Sequence, residues 1–262
     1  MTPWALLQSV PLVVGFSLGT LVLSLQWQQL QTLKAQTPGQ QSLLELQQQQ
    51  QRDRLRLLVL KHTPDLGYAN LVADWTFLNF LQYFGDAALR NRVGYRISPE
   101  FFEVIVEKDP RFIEPYLFLS ASTSIFAGAP ERSVALMTKG SQAMTPTVPV
   151  GSYRLWRYRG LDQLLFLGDG QGARQSFQIA AAWASVSPEP EAVAVAQTCR
   201  QTAAFLATNP TSRSAQISAW VQVINLAVDP QVRKIAVDRI QALGGKILVM
   251  ESGRVTVQYR AD

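Results

Sequence analysis

The chain has 262 residues, a formal net charge of +5, 47% hydrophobic residues and only 16% charged ones. A charged fraction well below the roughly 25% of soluble domains points to a segment that faces lipid. With one cysteine, Cys199, and one histidine, His62, the chain lacks the residues for an intramolecular disulfide, a four-ligand Cys/His zinc site and most triad chemistry.

Residues Pro3 to Leu25 carry no charge, and Val10 to Leu25 are almost entirely apolar or small. A run of this length suits a helix crossing a hydrocarbon core about 30 Å thick. Pro11, Gly15 and Gly19 are tolerated in such helices, and Trp4 and Trp27 bracket the run where headgroups would lie. A cleaved signal peptide would want a basic lead and small residues at its exit; the run instead leaves through Ser24-Leu25-Gln26-Trp27. Residues 1–27 are therefore expected to form a transmembrane anchor. Lys34, Arg52, Arg54, Arg56 and Lys61 follow it, against Glu45 and Asp53, so the C-terminal part is expected on the cytoplasmic side.

Residues 28–63 read as a Gln-rich linker and helix. Twelve glutamines fall between positions 26 and 51, and Pro38-Gly39 break the segment. A helix is expected from about 43 to 61, with its leucines on one side. Arg52, Arg54 and Arg56 would face either anionic headgroups or water. Next, Ala73 to Asp86 carry Trp75, Phe77, Leu78, Phe80, Leu81, Tyr83 and Phe84, a helix apolar on nearly all sides. It belongs in a core or against a partner, with Asp74 as a candidate cap.

From 64 to 243 the chain reads as a helical-repeat domain. Asp109-Pro110, Thr145-Pro146, Ser187-Pro188, Asn209-Pro210 and Asp229-Pro230 punctuate helix-forming runs. Phe112 to Pro146 and Ser152 to Pro188 compare as two units, each a helix, a glycine turn (Gly128; Gly168), a second helix and a terminal proline. A period of about 34–42 residues in this form points to stacked helix pairs. Further helices are expected at Pro190–Thr208, Thr211–Val228 and Gln231–Leu243. Residues 244–262 close the chain as a β-hairpin, with a Ser252-Gly253 turn, Met250 facing Val255, Leu248 facing Val257 and Glu251 opposite Arg254.

The second unit resembles the tetratricopeptide repeat family at Trp156, Gly160, Leu164, Gly168-Asp169, Ala173, Phe177, Ala180 and Pro188. The first resembles it at Tyr116, Leu119, Gly128, Ser133, Met137, Gly140 and Pro146. The stretch from Ala73 to Asp86, with Lys108-Asp109-Pro110-Arg111-Phe112, is similar to the leading part of membrane-anchored bacterial repeat proteins, and the Gln-rich, Arg-over-Lys style to cyanobacterial ones. The resemblance implies an all-α array of helical hairpins, a transmembrane helix before it, a thylakoid or plasma membrane, and a part in assembling photosynthetic complexes. It also implies a groove lined by first helices, where Arg154 and Arg157, and in the preceding unit Phe118 and Ser122, would bind protein.

Gly168 to Gly172 lack the Lys-Ser/Thr ending of a phosphate loop and follow a helix, so they read as a turn. Tyr153, Trp156 and Tyr158 interleave with Arg154, Arg157 and Arg159, but helical spacing separates aromatic from basic positions. The modest net charge gives no reason to expect nucleic acid. His62, before Thr63-Pro64, reads as a helix-end residue. No catalytic residue, cofactor or metal is expected. The expected function is a membrane-tethered protein-binding scaffold; the alternative is a structural subunit of a membrane complex.

Overall fold

The computed structural model describes residues 42–211, 213–227, 229–249 and 255–259, together with Thr20, Ser24 and Trp27, which are helical. The chain divides into two units, Met1–Leu46 and Gln47–Asp262. The expected membrane anchor, residues 1–27, lies outside the described residues apart from those three. Among the described residues no helix is long and apolar enough to cross a membrane.

From residue 42 onward the described structure consists of eleven α-helices and one two-stranded antiparallel sheet. Helix α1 (Leu43–His62) opens with a reciprocal cap: the Ser42 N–H donates to Glu45 Oε2 at 2.8 Å, and the Ser42 hydroxyl accepts from the Glu45 N–H at 3.2 Å. Helices α2 (Ala69–Gly85), α3 (Ala87–Val93) and α4 (Ser98–Lys108) follow. Asp74 falls inside α2 and does not cap it. The helix begins five residues earlier, at Ala69, after a turn in which Leu66 and Gly67 take positive φ. Of the aspartates at helix starts, Asp86 accepts from the Leu89 N–H to begin α3.

Two helix pairs come next. α5 (Glu114–Leu119) runs into a π-helical segment, Ser120–Phe126, before α6 (Pro130–Ser141). α7 (Tyr153–Asp162) runs into a second π segment, Gln163–Leu167, before α8 (Gly170–Ala184). The pairs repeat in detail. The Ala129 N–H donates to the Thr123 carbonyl, and the Asp169 N–H to the Gln163 carbonyl, both at 2.9 Å and displaced by 40 residues. Gly128 and Gly168, in the same relation, take φ of 63° and 67°, a conformation that favours glycine. Ser133, Met137 and Gly140 on α6 occupy the buried positions that Ala173, Phe177 and Ala180 occupy on α8. At Gly140 a Cβ would sit 1.9 Å from the Tyr116 hydroxyl, so glycine is what lets α5 and α6 approach.

The remaining helices are α9 (Ala192–Thr208), α10 (Arg213–Leu226) and α11 (Pro230–Ala242), the last begun by Asp229, which accepts from the Gln231 N–H at 2.8 Å. Small residues let α8 and α9 pack closely: Ala173, Ala180, Ala181, Cys199 and Ala203 are all buried around Phe177 and Leu206. The aromatic helix α2 sits on α4, and Phe80 is the centre of that core. Its ring lies 4.6 Å from Phe102, 5.5 Å from Phe84 and 5.8 Å from Phe101, geometries that add to simple area burial. A second core gathers at α10 and α11, where Trp220 meets Phe166 edge-on at 5.4 Å and Val223, Ile224, Val232 and Ile240 are buried. Helix α10 lies against both π segments.

Strands β1 (Lys246–Val249) and β2 (Val255–Gln258) pair with Ile247 opposite Val257 and Leu248 opposite Thr256. This is one residue off the expected register, in which Leu248 faced Val257. The shift decides which face is buried. Ile247 and Val257 now point together at the second core, while Leu248 is 42% exposed. The expected Glu251–Arg254 pair lies outside the described residues.

Candidate functional site

The four residues expected to line one protein-binding groove do not share an open surface. Phe118 is half-buried in the aromatic core, its ring 5.6 Å from Phe77 and 6.1 Å from Phe80. Ser122 is fully buried within the first π segment. Arg154 is half-exposed, but its guanidinium donates to both Glu189 and Glu191 at 2.6 Å. Arg157 lies 5.9 Å from the Tyr158 ring. Of the four, only Ser122 lies in one of the two π segments, which pack against α6 and α10. The interleaved arginines are likewise half-buried rather than free: Arg159 sits 5.1 Å from the Trp156 ring and donates to Ser176.

Those same segments build a buried polar centre that spacing alone does not announce. Asp162, fully buried, accepts from Ser120 at 2.6 Å, from Ser124 at 2.7 Å and from Ser133 at 2.7 Å. Burial pushes its carboxyl above the ordinary aspartate value, and the three serine hydroxyls pull back against that shift. One side chain of α7 thus joins the first π segment to α6. Next to it Gln163 donates to Asp169 and accepts from Ser176. Ser120 and Ser124 stand one helical turn apart in the sequence, which puts both hydroxyls on one helical face. Their shared acceptor lies 42 and 38 residues further on. Asp169 caps α8 through the Gly172 N–H at 2.8 Å, so the glycine-rich run is a helix start and not a phosphate cradle. His62 ends α1, its Nδ1 2.9 Å from the Leu58 carbonyl.

Among the described residues, open cavities lie along α1. Two adjoining cavities, about 250 and 420 Å³, share Gln51, Arg54, Glu100 and Arg132. Their floor is a carboxylate pair one turn apart on α4. Glu100 Oε1 receives Arg54 at 3.2 Å and Arg132 at 3.3 Å, while its buried Oε2 has no partner. Glu103 receives Arg132 at 2.5 Å and Lys61 at 3.0 Å. Burial disfavours the Glu103 carboxylate, but the hydrogen bonds and charges of Arg132 and Lys61 outweigh it and hold the group below the ordinary glutamate value. Arg132 is raised in return: burial opposes its charge, and Glu103 and Glu100 overcome that. Further along, Arg96, Gln231 and Ile235 form the wall contributed by the α3–α4 connection and α11. The groove is thus edged by four cations, each paired with a carboxylate, Arg96 with Asp229 at 3.6 Å, and its polar lining can meet a polar backbone.

A third cavity, about 520 Å³, lies on the other flank of α1 and is lined by Asp53, Arg56, Trp75, Tyr83 and Arg90 among others. Arg90 is 2% exposed, stacks 3.9 Å over the Tyr83 ring and donates to the Gly94 carbonyl at 2.9 Å. Burial carries the Tyr83 phenol up to about 12 and raises the Asp53 carboxyl. Among the described residues no cluster of His, Cys, Asp and Glu is arranged to hold a metal ion.

No protein-family model, curated protein or solved structure matches the chain.

Proposed function

We propose that the chain is a membrane-tethered scaffold of tetratricopeptide-like helical hairpins. It binds another polypeptide in the groove along α1 and so assists the assembly or upkeep of a membrane complex. The observation that carries the reading is the groove itself, a polar channel bordered by Arg54, Lys61, Arg96 and Arg132 beside a stack of helix pairs that recurs every 40 residues. The uncharged run Pro3 to Leu25 supports the tether. Tethering acts by concentration: a groove confined to a bilayer meets membrane partners far more often than one free in solution. The Gln-rich, Arg-over-Lys style, similar to cyanobacterial sequences, and the likeness of Ala73 to Asp86 to membrane-anchored bacterial repeat proteins support a photosynthetic complex, and the cations that follow the apolar run support a cytoplasm-facing C-terminal part.

The test is mild detergent extraction of native membranes, affinity capture of the full chain and identification of what comes with it. Membrane-complex subunits should be captured with the wild type and lost with the Arg54→Glu, Arg132→Glu double variant. Recovery of the wild type as a free monomer under all growth conditions would sink the proposal. Presence in the mature complex at one copy per complex would favour the alternative, a permanent structural subunit.

A further inference from the structure

Helix α3 carries a buried charge without a counter-ion. Arg90 is 2% exposed, and among the described residues no carboxylate forms an ion pair with it. Its Nη1 donates to the Gly94 carbonyl at 2.9 Å, while Nε is buried and has no hydrogen-bond partner. The Tyr83 ring, 3.9 Å away, balances part of the charge through its π face. Two carboxylates share the cavity wall with Arg90, and both are engaged elsewhere. Asp53 pairs with Arg56 at 3.7 Å, and Asp86 accepts from the Leu89 N–H at 3.0 Å. A guanidinium taken out of water is costly unless its charge and its donors find partners.

We propose that the cavity of about 520 Å³ between α1, α2 and α3 binds a small organic carboxylate with an apolar body, whose carboxylate is the counter-ion of Arg90. Three features carry this. The volume lies in the range that encloses small organic molecules. Leu57, Leu60, Trp75 and Phe101 supply apolar wall for the body, while Gln82 adds an amide. With Nη1 already spent on Gly94, the edge of the guanidinium headed by Nε is the one that meets two carboxylate oxygens in parallel, a geometry that an ammonium in its place could not offer. The site lies within the folded unit and is independent of the polypeptide groove on the other flank of α1.

The experiment is titration calorimetry on the full chain in lipid nanodiscs, with empty nanodiscs as the reference. The probes are 3-phenylpropanoate and hexanoate, their neutral amides and the matching amines. The carboxylates should bind at millimolar concentration or below, and the amides and amines should bind roughly tenfold more weakly or worse, the weight of charge-assisted hydrogen bonds. Arg90→Gln should lose the preference for carboxylate over amide. Because that change also frees the Gly94 carbonyl and can loosen α3, Gln82→Trp provides a second variant: residue 82 is exposed on α2 and lines the cavity, so the indole should fill it and abolish binding without lowering the unfolding temperature. Four outcomes would each overturn the proposal. The carboxylates give no heat above the reference; the amides bind as well as the carboxylates, which would mean an apolar hollow only; the amines bind best, which would hand the site to Asp53 and Asp86; or binding survives in Gln82→Trp, which would place it elsewhere.

Discussion

At the scale of single residues, Asp162 sets the sharpest expectation. Hydrogen bonds to a charged acceptor contribute about 1.5–3 kcal/mol each, and burial of the carboxylate offsets part of that. Asp162→Ala leaves three hydroxyls without their acceptor and should lower stability by about 2–4 kcal/mol in chemical denaturation near neutral pH. The pH dependence has a definite sign. Because burial raises the folded carboxyl above its unfolded value of 3.8, the folded state holds the proton more tightly. Its contribution is therefore greatest when protonated, and declines as pH rises from 3.8 through the folded value. The stability of the wild type relative to Asp162→Asn should fall across that window; a difference that stays flat would mean that the carboxyl is not perturbed. Nothing in the local sequence marks Asp162 as special. Its partners are brought to it by two helix pairs, and a carboxylate without a cation nearby gives no charge pattern to read.

At the scale of elements, α1 is held differently from the helices beneath it. Leu57 is buried and Leu60 half-buried, but Leu55, Leu58 and Val59 face outward. It is also attached by Arg54–Glu100, Lys61–Glu103, the bond from Gln50 to the Val93 carbonyl at 3.5 Å and the bond from Lys108 to the Thr63 carbonyl at its end. Ion pairs that are partly exposed contribute about 0–1 kcal/mol each and weaken in salt. In hydrogen exchange, amides of α1 after Leu46 should therefore exchange well before those of α4, and molar salt should widen the gap. Equal protection of the two helices would mean that α1 is part of the rigid core. Glu103 is depressed below 4.5 mainly by Arg132 and Lys61 against the cost of burial, so its share of this attachment is lost as pH falls through that depressed value. Element boundaries were the most legible part of the sequence. Helix α1 lies at 43–62 against an expected 43–61, and α9 ends at Thr208, just before Asn209-Pro210. Proline and capping chemistry are local, so they survive reading without tertiary context. The hairpin register was misread because it is decided by what packs against it, the second core for Ile247 and Val257, and Ser122 was read as groove-lining although it is buried in a wide π turn packed against α6 and α10.

At the scale of the molecule, the described body has an aromatic core around Phe80 and a second core around Trp220, joined through the helix pairs. Trp220 is 1% exposed and touches the second π segment through Phe166 and α11 through Arg239, whose guanidinium lies 5.7 Å from the indole. Trp220→Ala should cost about 3–5 kcal/mol in thermal or chemical unfolding. A loss near zero would show that the second core does not stabilise the rest.

The course of α10 also limits how this architecture can evolve. Open solenoids lengthen by gene duplication, because each new unit needs only the one before it. Here the chain doubles back, and α10 rests on the wide turns of both units at once. A third copy spliced in after Pro188 would pull that helix off one of its two seats. Adding a unit at that point is therefore expected to cost stability that an exposed surface substitution does not.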